Sequence, residues 1–218
     1  YNNFITPSDE INISFNRFPK VEIIGKNNDD DTPYEVKFLD NKTGRIYCRN
    51  FIKKNHWIGA NQKFFVDWRI IVSKGDKVYV DYILNLENQN VLIVFDSQSL
   101  GDTISWVPQV EEFRKKHKCN LYVSTFFNHL FEESYPEINF FEPNKPVENI
   151  KFDFEWWLGV YMEQIEFYHP TDWRLIPLGQ IASDQLGLDY KEIKCKIDKP
   201  KNHNVSFVPD KKYVCIST

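Results

Sequence analysis

No apolar run in the sequence is long enough to cross a membrane as a helix. Val91–Phe95 is among the longest, and a span needs roughly 20 such residues. Basic excess is also missing: the formal net charge is −4 and the pI about 5.8. That balance argues against a nucleic-acid binder held by phosphate contacts. The short cationic stretch Arg114–Lys118 reads as one solvated end of a helix. Cysteine is sparse, with four residues far apart (Cys48, Cys119, Cys195 and Cys215) and no C-x-x-C pair. This excludes a zinc knuckle and a disulfide framework, and it fits reduced thiols in a cytoplasmic protein. The five histidines show neither H-x-x-x-H nor H-E-x-x-H spacing, so no metal site is expected. Tyr1–Glu10 has neither the basic nor the apolar segment of a secretion signal. It also lacks an initiator Met, and further residues are expected before it.

What is present divides into two rhythms. With 42% hydrophobic and 16% aromatic residues, the chain can build real cores and is no disordered tract. From about residue 11 to 87 the pattern alternates with a period of two. Tyr34, Val36 and Phe38 oppose Glu35, Lys37 and Leu39. Phe64, Val66, Trp68, Ile70 and Val72 form one face of a second strand, and Val78, Val80, Tyr82, Leu84 and Leu86 one face of a third. Turn residues fall between them at Asn41–Gly44 and Lys74–Asp76, and Lys26–Thr32 reads as an exposed loop. Antiparallel hairpins this rich in aromatics predict a β-barrel or sandwich of five or six strands.

At Asn90 the rhythm changes. Val91–Phe95 is continuous, as in a strand buried on both faces of a parallel sheet. A helical segment then reaches about His117. Asn120–Ser124 follows as a strand, Phe127–Ser134 as a helix and Ile138–Phe141 as a strand. The apolar stretch Trp156–Tyr161 precedes a helical pattern over Ile176–Leu186. These are βαβ intervals. The fold class expected is therefore α+β in two parts: an antiparallel barrel or sandwich at 1–88, then a Rossmann-like α/β half at 89–210. Lys191–Asp210 reads as a connector. Lys212–Ser217 reads as one more buried strand, so 211–218 is expected to open a further half that the chain does not contain.

The loop after the first buried strand carries the chemistry. Ser99, Leu100, Gly101 and Asp102 sit where a parallel strand has ended and a helix begins, the edge at which open α/β sheets bind ligands. Gly101 is expected to allow a sharp turn and close approach to a ligand. Asp102 admits two readings: a helix N-cap worth about 1 kcal/mol, or a general base that takes the proton of an attacking hydroxyl. Pro108 removes one backbone hydrogen bond from the helix that follows.

The run Ser99–Pro108, S-L-G-D-T-I-S-W-V-P, resembles the opening of the ADP-heptose-dependent heptosyltransferases: S-x-G-D, an aliphatic residue two positions on, and proline six positions on. The β-rich region before it, Lys116–Cys119, Tyr135–Ile138, Asp172–Arg174, Leu186–Leu188 and Tyr213–Thr218 narrow the resemblance to the autotransporter heptosyltransferases. The match runs over most of the chain, in order. It implies a B-type glycosyltransferase, with Asp102 as catalytic base and Ser99, Leu100, Gly101, Thr103 and Trp106 on the acceptor side. It further implies ADP-heptose as donor, Ser or Thr hydroxyls of an autotransporter adhesin as acceptor, a cytoplasmic location and a large homo-oligomer. The family's donor-binding lysine, iron-binding cysteines and oligomerising elements belong to its C-terminal portion. No nucleotide site, metal or cofactor is therefore expected in this chain, and the chain alone is expected to be inactive.

Other residues keep two readings. Trp106 either stacks on a ligand or packs in the core, the commoner fate of such an aromatic. Asp172 and Arg174 are an exposed ion pair or, by the resemblance, part of the cleft. His169 is a surface residue or a second proton carrier. Two functional rivals stand beside the transferase: a polypeptide-binding module without chemistry, and a lipopolysaccharide-type heptosyltransferase. Against the latter, those enzymes begin almost directly at the first Rossmann strand.

Overall fold

The structure, a computed structural model, describes residues 2–6, 9–25, 32–145, 150–163 and 165–199. Two sheets and a helical layer share one apolar cluster. Four parallel strands form the functional part of the larger sheet: β9 (Asn90–Phe95), β10 (Asn120–Ser124), β11 (Ile138–Phe141) and β12 (Phe154–Leu158). Their order is β11-β10-β9-β12, with Phe95 of β9 level with Leu158 of β12. Val91, Leu92, Ile93 and Phe95 of β9 are all buried, as a continuous apolar run requires, and Leu121 and Val123 of β10 are fully buried.

Helix α1 (Leu100–His117) links β9 to β10. Its buried positions Thr103, Trp106, Val107, Val110 and Phe113 recur at helical spacing. Each of the large apolar ones contributes about 1.5–3 kcal/mol by leaving water. Val110→Asp would place an unpaired charge in that seam. Pro108 lies inside the helix and is itself buried. Arg114, Lys115, Lys116 and His117 occupy the last turn, where cations suit the helix dipole. Lys118 then takes the left-handed conformation and ends the helix.

The amino-terminal strands do not close into a barrel. β1 (Asn2–Ile5), β2 (Asp9–Asn16), β3 (Phe18–Gly25) and β6 (His56–Gly59) extend the parallel sheet beyond β12. β2 pairs in parallel with β12 through Phe15–Phe154 and Asn16–Glu155, so its edge is covered by β12 rather than by a closing strand. β4 (Tyr34–Asp40), β5 (Ile46–Ile52), β7 (Trp68–Lys74) and β8 (Lys77–Ile83) form a separate antiparallel sheet, ordered β5-β4-β7-β8. Tyr34, Val36 and Phe38 are buried as their alternation predicts.

Three local expectations change. Phe64, Phe65 and Val66 are all buried but precede the strand, which starts at Trp68. There the backbone bonds to other layers, Lys63 N–H to Phe167 O (2.6 Å) and Phe65 N–H to Gln185 O (2.8 Å). Val78 is 56% exposed, because a register shift opposite Val72 and Ser73 slips the alternation of β8. Tyr79 turns to the core instead and meets Tyr34 edge-on. Phe127–Ser134 holds only a single 3-10 turn, Asn128–Leu130, since the short link between β10 and β11 buries Phe131 without room for a full helix.

Phe65 is the rivet between layers, with its ring against Phe113, His117 and Phe154. Gly187 follows helix α2 (Leu178–Gln185) with φ +62, and a Cβ there would lie 2.9 Å from the Phe65 ring. Glycine is needed at this point for both reasons. Residues 191–199 form neither helix nor strand. The strand expected at Lys212–Ser217, the rest of the connector and most of the loop at Lys26–Thr32 lie outside the described residues.

Candidate active site

The carboxyl ends of β9, β10, β11 and β12 open onto a groove of about 580 Å³. Asp96, Ser97 and Gln98 line it from the loop after β9, Ser124 from β10, Phe141 from β11 and Trp157 from β12. Ser99 caps α1: its hydroxyl oxygen accepts from Asp102 N–H at 3.3 Å. The helix cap is thus Ser99, and Asp102 stands in the first turn. Its carboxylate is left for another task.

That carboxylate accepts a hydrogen bond from Ser97 Oγ at 2.6 Å, and Ser97 Oγ in turn accepts from Ser99 N–H at 3.1 Å. Ser97 lines the groove, so Asp102 is joined to it through one hydroxyl. An acceptor serine or threonine would need this same oxygen-to-oxygen separation to pass its proton to Asp102. No cation lies within ion-pair distance of Asp102 among the described residues. Sequence reasoning missed Ser97, whose only signal was its place five residues before the aspartate in the same loop.

The remaining sequence candidates separate. Leu100 and Gly101 are exposed on the first turn. A Cβ on Gly101 would meet only Ser99 Oγ, at 3.6 Å, so the backbone does not require glycine there. Thr103 is buried, donating to Ser99 O (3.0 Å) and lying 3.5 Å from Thr125 Oγ1, which ties α1 to the end of β10. Trp106 is fully buried and cannot stack on a ligand. Its indole N–H donates to Leu178 O at 3.0 Å, and its ring meets Phe95 edge-on. Asp172 and Arg174 line a different groove with Arg45 and His169. His169 is buried rather than at the surface; Nε2 accepts from Tyr161 N–H at 3.2 Å. Burial pushes its pKa down, and it serves the loop after β12.

No protein-family model matches the chain. Whole-sequence comparison finds autotransporter heptosyltransferases. BAHTCr of Citrobacter rodentium is 30% identical over 190 residues, covering 85% of this chain and 45% of the relative. TibC of Escherichia coli O78:H11 gives the same identity and coverage. The chain is a homologue of the autotransporter heptosyltransferases. It spans less than half the length of these relatives. The crystal structure of TibC, an iron-containing dodecameric glycosyltransferase of enterotoxigenic E. coli, superposes with a TM-score of 0.79 at 27% identity. That match covers 92% of this chain and 52% of TibC. TibC in complex with ADP-D-β-D-heptose gives 0.77. Among the described residues no three His, Cys, Asp or Glu side chains converge as metal ligands.

Proposed function

We propose that this chain is the acceptor-side portion of an inverting heptosyltransferase, acting from ADP-heptose on serine or threonine hydroxyls of an autotransporter adhesin. The observation that carries the reading is the Asp102 carboxylate, which is not the helix cap, pairs with no cation among the described residues, and lies 2.6 Å from a hydroxyl at the carboxyl edge of the parallel sheet. The acceptor oxygen attacks the anomeric carbon as its proton passes to Asp102. The bond from that carbon to the diphosphate breaks, and ADP leaves. Charge on the departing diphosphate calls for cations or helix N-termini, which a second half would bring. In this reading residues 1–88 receive the acceptor, 89–210 carry the base and 211–218 open the donor half. The complete protein is a cytoplasmic homo-oligomer, and the present chain alone does not turn over.

The test is heptose transfer to an adhesin passenger, read by intact mass, using a C-terminally extended form with and without Asp102→Asn. Transfer that disappears in a folded variant supports the base; transfer that persists removes it. A second reading, a polypeptide-binding module without chemistry, draws on the relative BimC of Burkholderia thailandensis. That protein is described as an inactive autotransporter heptosyltransferase and is 25% identical over 163 residues. An extended form that retains the passenger but adds no sugar would favour this reading.

A further inference from the structure

Beside the Asp102 groove, and sharing Asp96 and Trp157 with it, lies a second pocket of about 300 Å³. Two cations enter it, Arg17 and Lys63, between the rings of Phe18, Trp157 and Tyr161. We propose that this pocket is an oxyanion subsite, in which Lys63 and Arg17 hold a phosphate or carboxylate group of a substrate.

The first support is a charge without a partner. Lys63 has no carboxylate within ion-pair distance among the described residues, and its ammonium sits 3.7 Å from the centre of the Phe18 ring. Burial, and then the nearby Arg17, push it below the ordinary lysine range. Two like charges set side by side in a partly dry pocket repel each other, and a bound anion relieves both. Asp96 lines the same pocket, forms no ion pair with either cation, and has the Tyr161 hydroxyl as its side-chain hydrogen-bond partner.

The second support is the backbone. Arg17 is the tip of the β2–β3 hairpin, where Asn16 pairs directly with Phe18. Its φ is +62, a conformation that glycine or asparagine adopts at lower cost. The turn is fixed by Arg17 N–H donating to Glu155 O at 3.0 Å. The guanidinium lies 3.8 Å over the Trp157 ring and 3.6 Å from Glu155 Oε1. A strained arginine held flat on an aromatic wall is a placed side chain, and strain of this kind gathers at ligand sites. The fork still has N–H groups directed elsewhere than Glu155. The inference stands apart from the role of Asp102, because it concerns binding and not transfer.

The experiment titrates the 218-residue chain with sodium pyrophosphate. A glutamate-rich serine/threonine peptide and its glutamine counterpart are titrated separately. The readout is the indole N–H resonance of Trp157, assigned with Trp157→Phe. We expect at least one anionic probe to shift that resonance with a Kd on the order of 1 mM, and Lys63→Gln to weaken it at least about fivefold. Lys77→Gln, on the antiparallel sheet, should leave binding unchanged. Pyrophosphate alone binding assigns the subsite to a diphosphate, and the acidic peptide alone assigns it to the acceptor. Binding by neither, or binding unaffected by both Lys63→Gln and Arg17→Gln, overturns the proposal. So does equal binding of the glutamine peptide if pyrophosphate does not bind.

Discussion

Two aspartates at helix starts, Asp172 lining one groove and Asp102 joined to another through Ser97, have opposite fates. Asp172 caps the turn Trp173–Leu175. Its oxygens take the Arg174 guanidinium at 2.9 and 2.7 Å and the Arg174 N–H at 3.1 Å. The guanidinium first, and the backbone N–H after it, hold its pKa down to about 2. Asp102 leaves capping to Ser99 and takes a neutral hydroxyl at 2.6 Å. A carboxylate clamped by a guanidinium is a poor proton acceptor, while one bonded to an exchangeable hydroxyl is placed to become one. Neighbours, more than position in a helix, decide what each carboxylate does.

The largest effect expected from breaking this contrast is on transfer. In the extended form, Asp102→Asn should lower the rate by about 10²–10⁴-fold, the usual share of a general base. Thermal unfolding should hardly move, since Ser99 still caps α1. A variant that transfers normally would make Asp102 a structural residue and leave no difference in role between the two aspartates.

Acid titration sharpens the contrast between charge fixed by pairing and charge suppressed by burial. The His117 ring packs against Phe113 and Phe65. Burial lowers its pKa to about 4. The unfolded chain therefore binds a proton that the folded chain refuses, and stability falls as pH drops from about 6.5 toward 4. The loss attributable to His117 reaches about 3 kcal/mol at pH 4, and His169 acts in the same direction. Asp172 acts lower, its contribution fading as pH falls from 3.8 toward about 2. Urea unfolding at pH 7 and pH 4.5 should show a shallower acid loss in His117→Phe than in the parent. Equal losses would mean that His117 is already protonated in the fold.

Much of this architecture was legible in the sequence, for definite reasons. Val91–Phe95 read as a parallel strand because burial on both faces leaves an unbroken apolar run, and Asn120–Ser124 because it follows at a βαβ interval. The segment reaching His117 read as helix because it stands between two strands at a βαβ interval. The barrel was a misreading because alternation reports that a strand is half-buried, not which strand lies beside it. Nothing in Phe15 or Asn16 announces β12 as a neighbour. Phe64–Val66 imitated a strand because a segment wedged between layers also buries consecutive rings. At the site, strand-then-helix order located the loop. One of the two readings of Asp102 put the cap three residues late, and Ser97 was passed over, because cap and hydroxyl partner depend on side-chain directions that spacing does not encode.

Ser97→Ala asks what the hydroxyl contributes. If it only orients the Asp102 carboxylate, transfer should fall a few-fold, on the order of one hydrogen bond. Any such loss should appear in kcat and not in KM, because the acceptor supplies its own hydroxyl to the same oxygen. A loss as deep as that of Asp102→Asn would instead make Ser97 a participant in proton transfer.

The smallest effect belongs to the other aspartate. Asp172→Asn keeps an oxygen to accept from Arg174 N–H and removes the charge paired with the guanidinium. That pair lies in the groove with Arg45 and His169, away from Ser97 and Trp157. Transfer by the extended form should change by less than about twofold, as an exposed ion pair remote from the chemistry allows. A drop of tenfold or more would mean that the acceptor polypeptide runs through this second groove before reaching Asp102. The two regions would then form one binding track, and pairing with Arg174 would be a feature of the unliganded protein that the acceptor displaces.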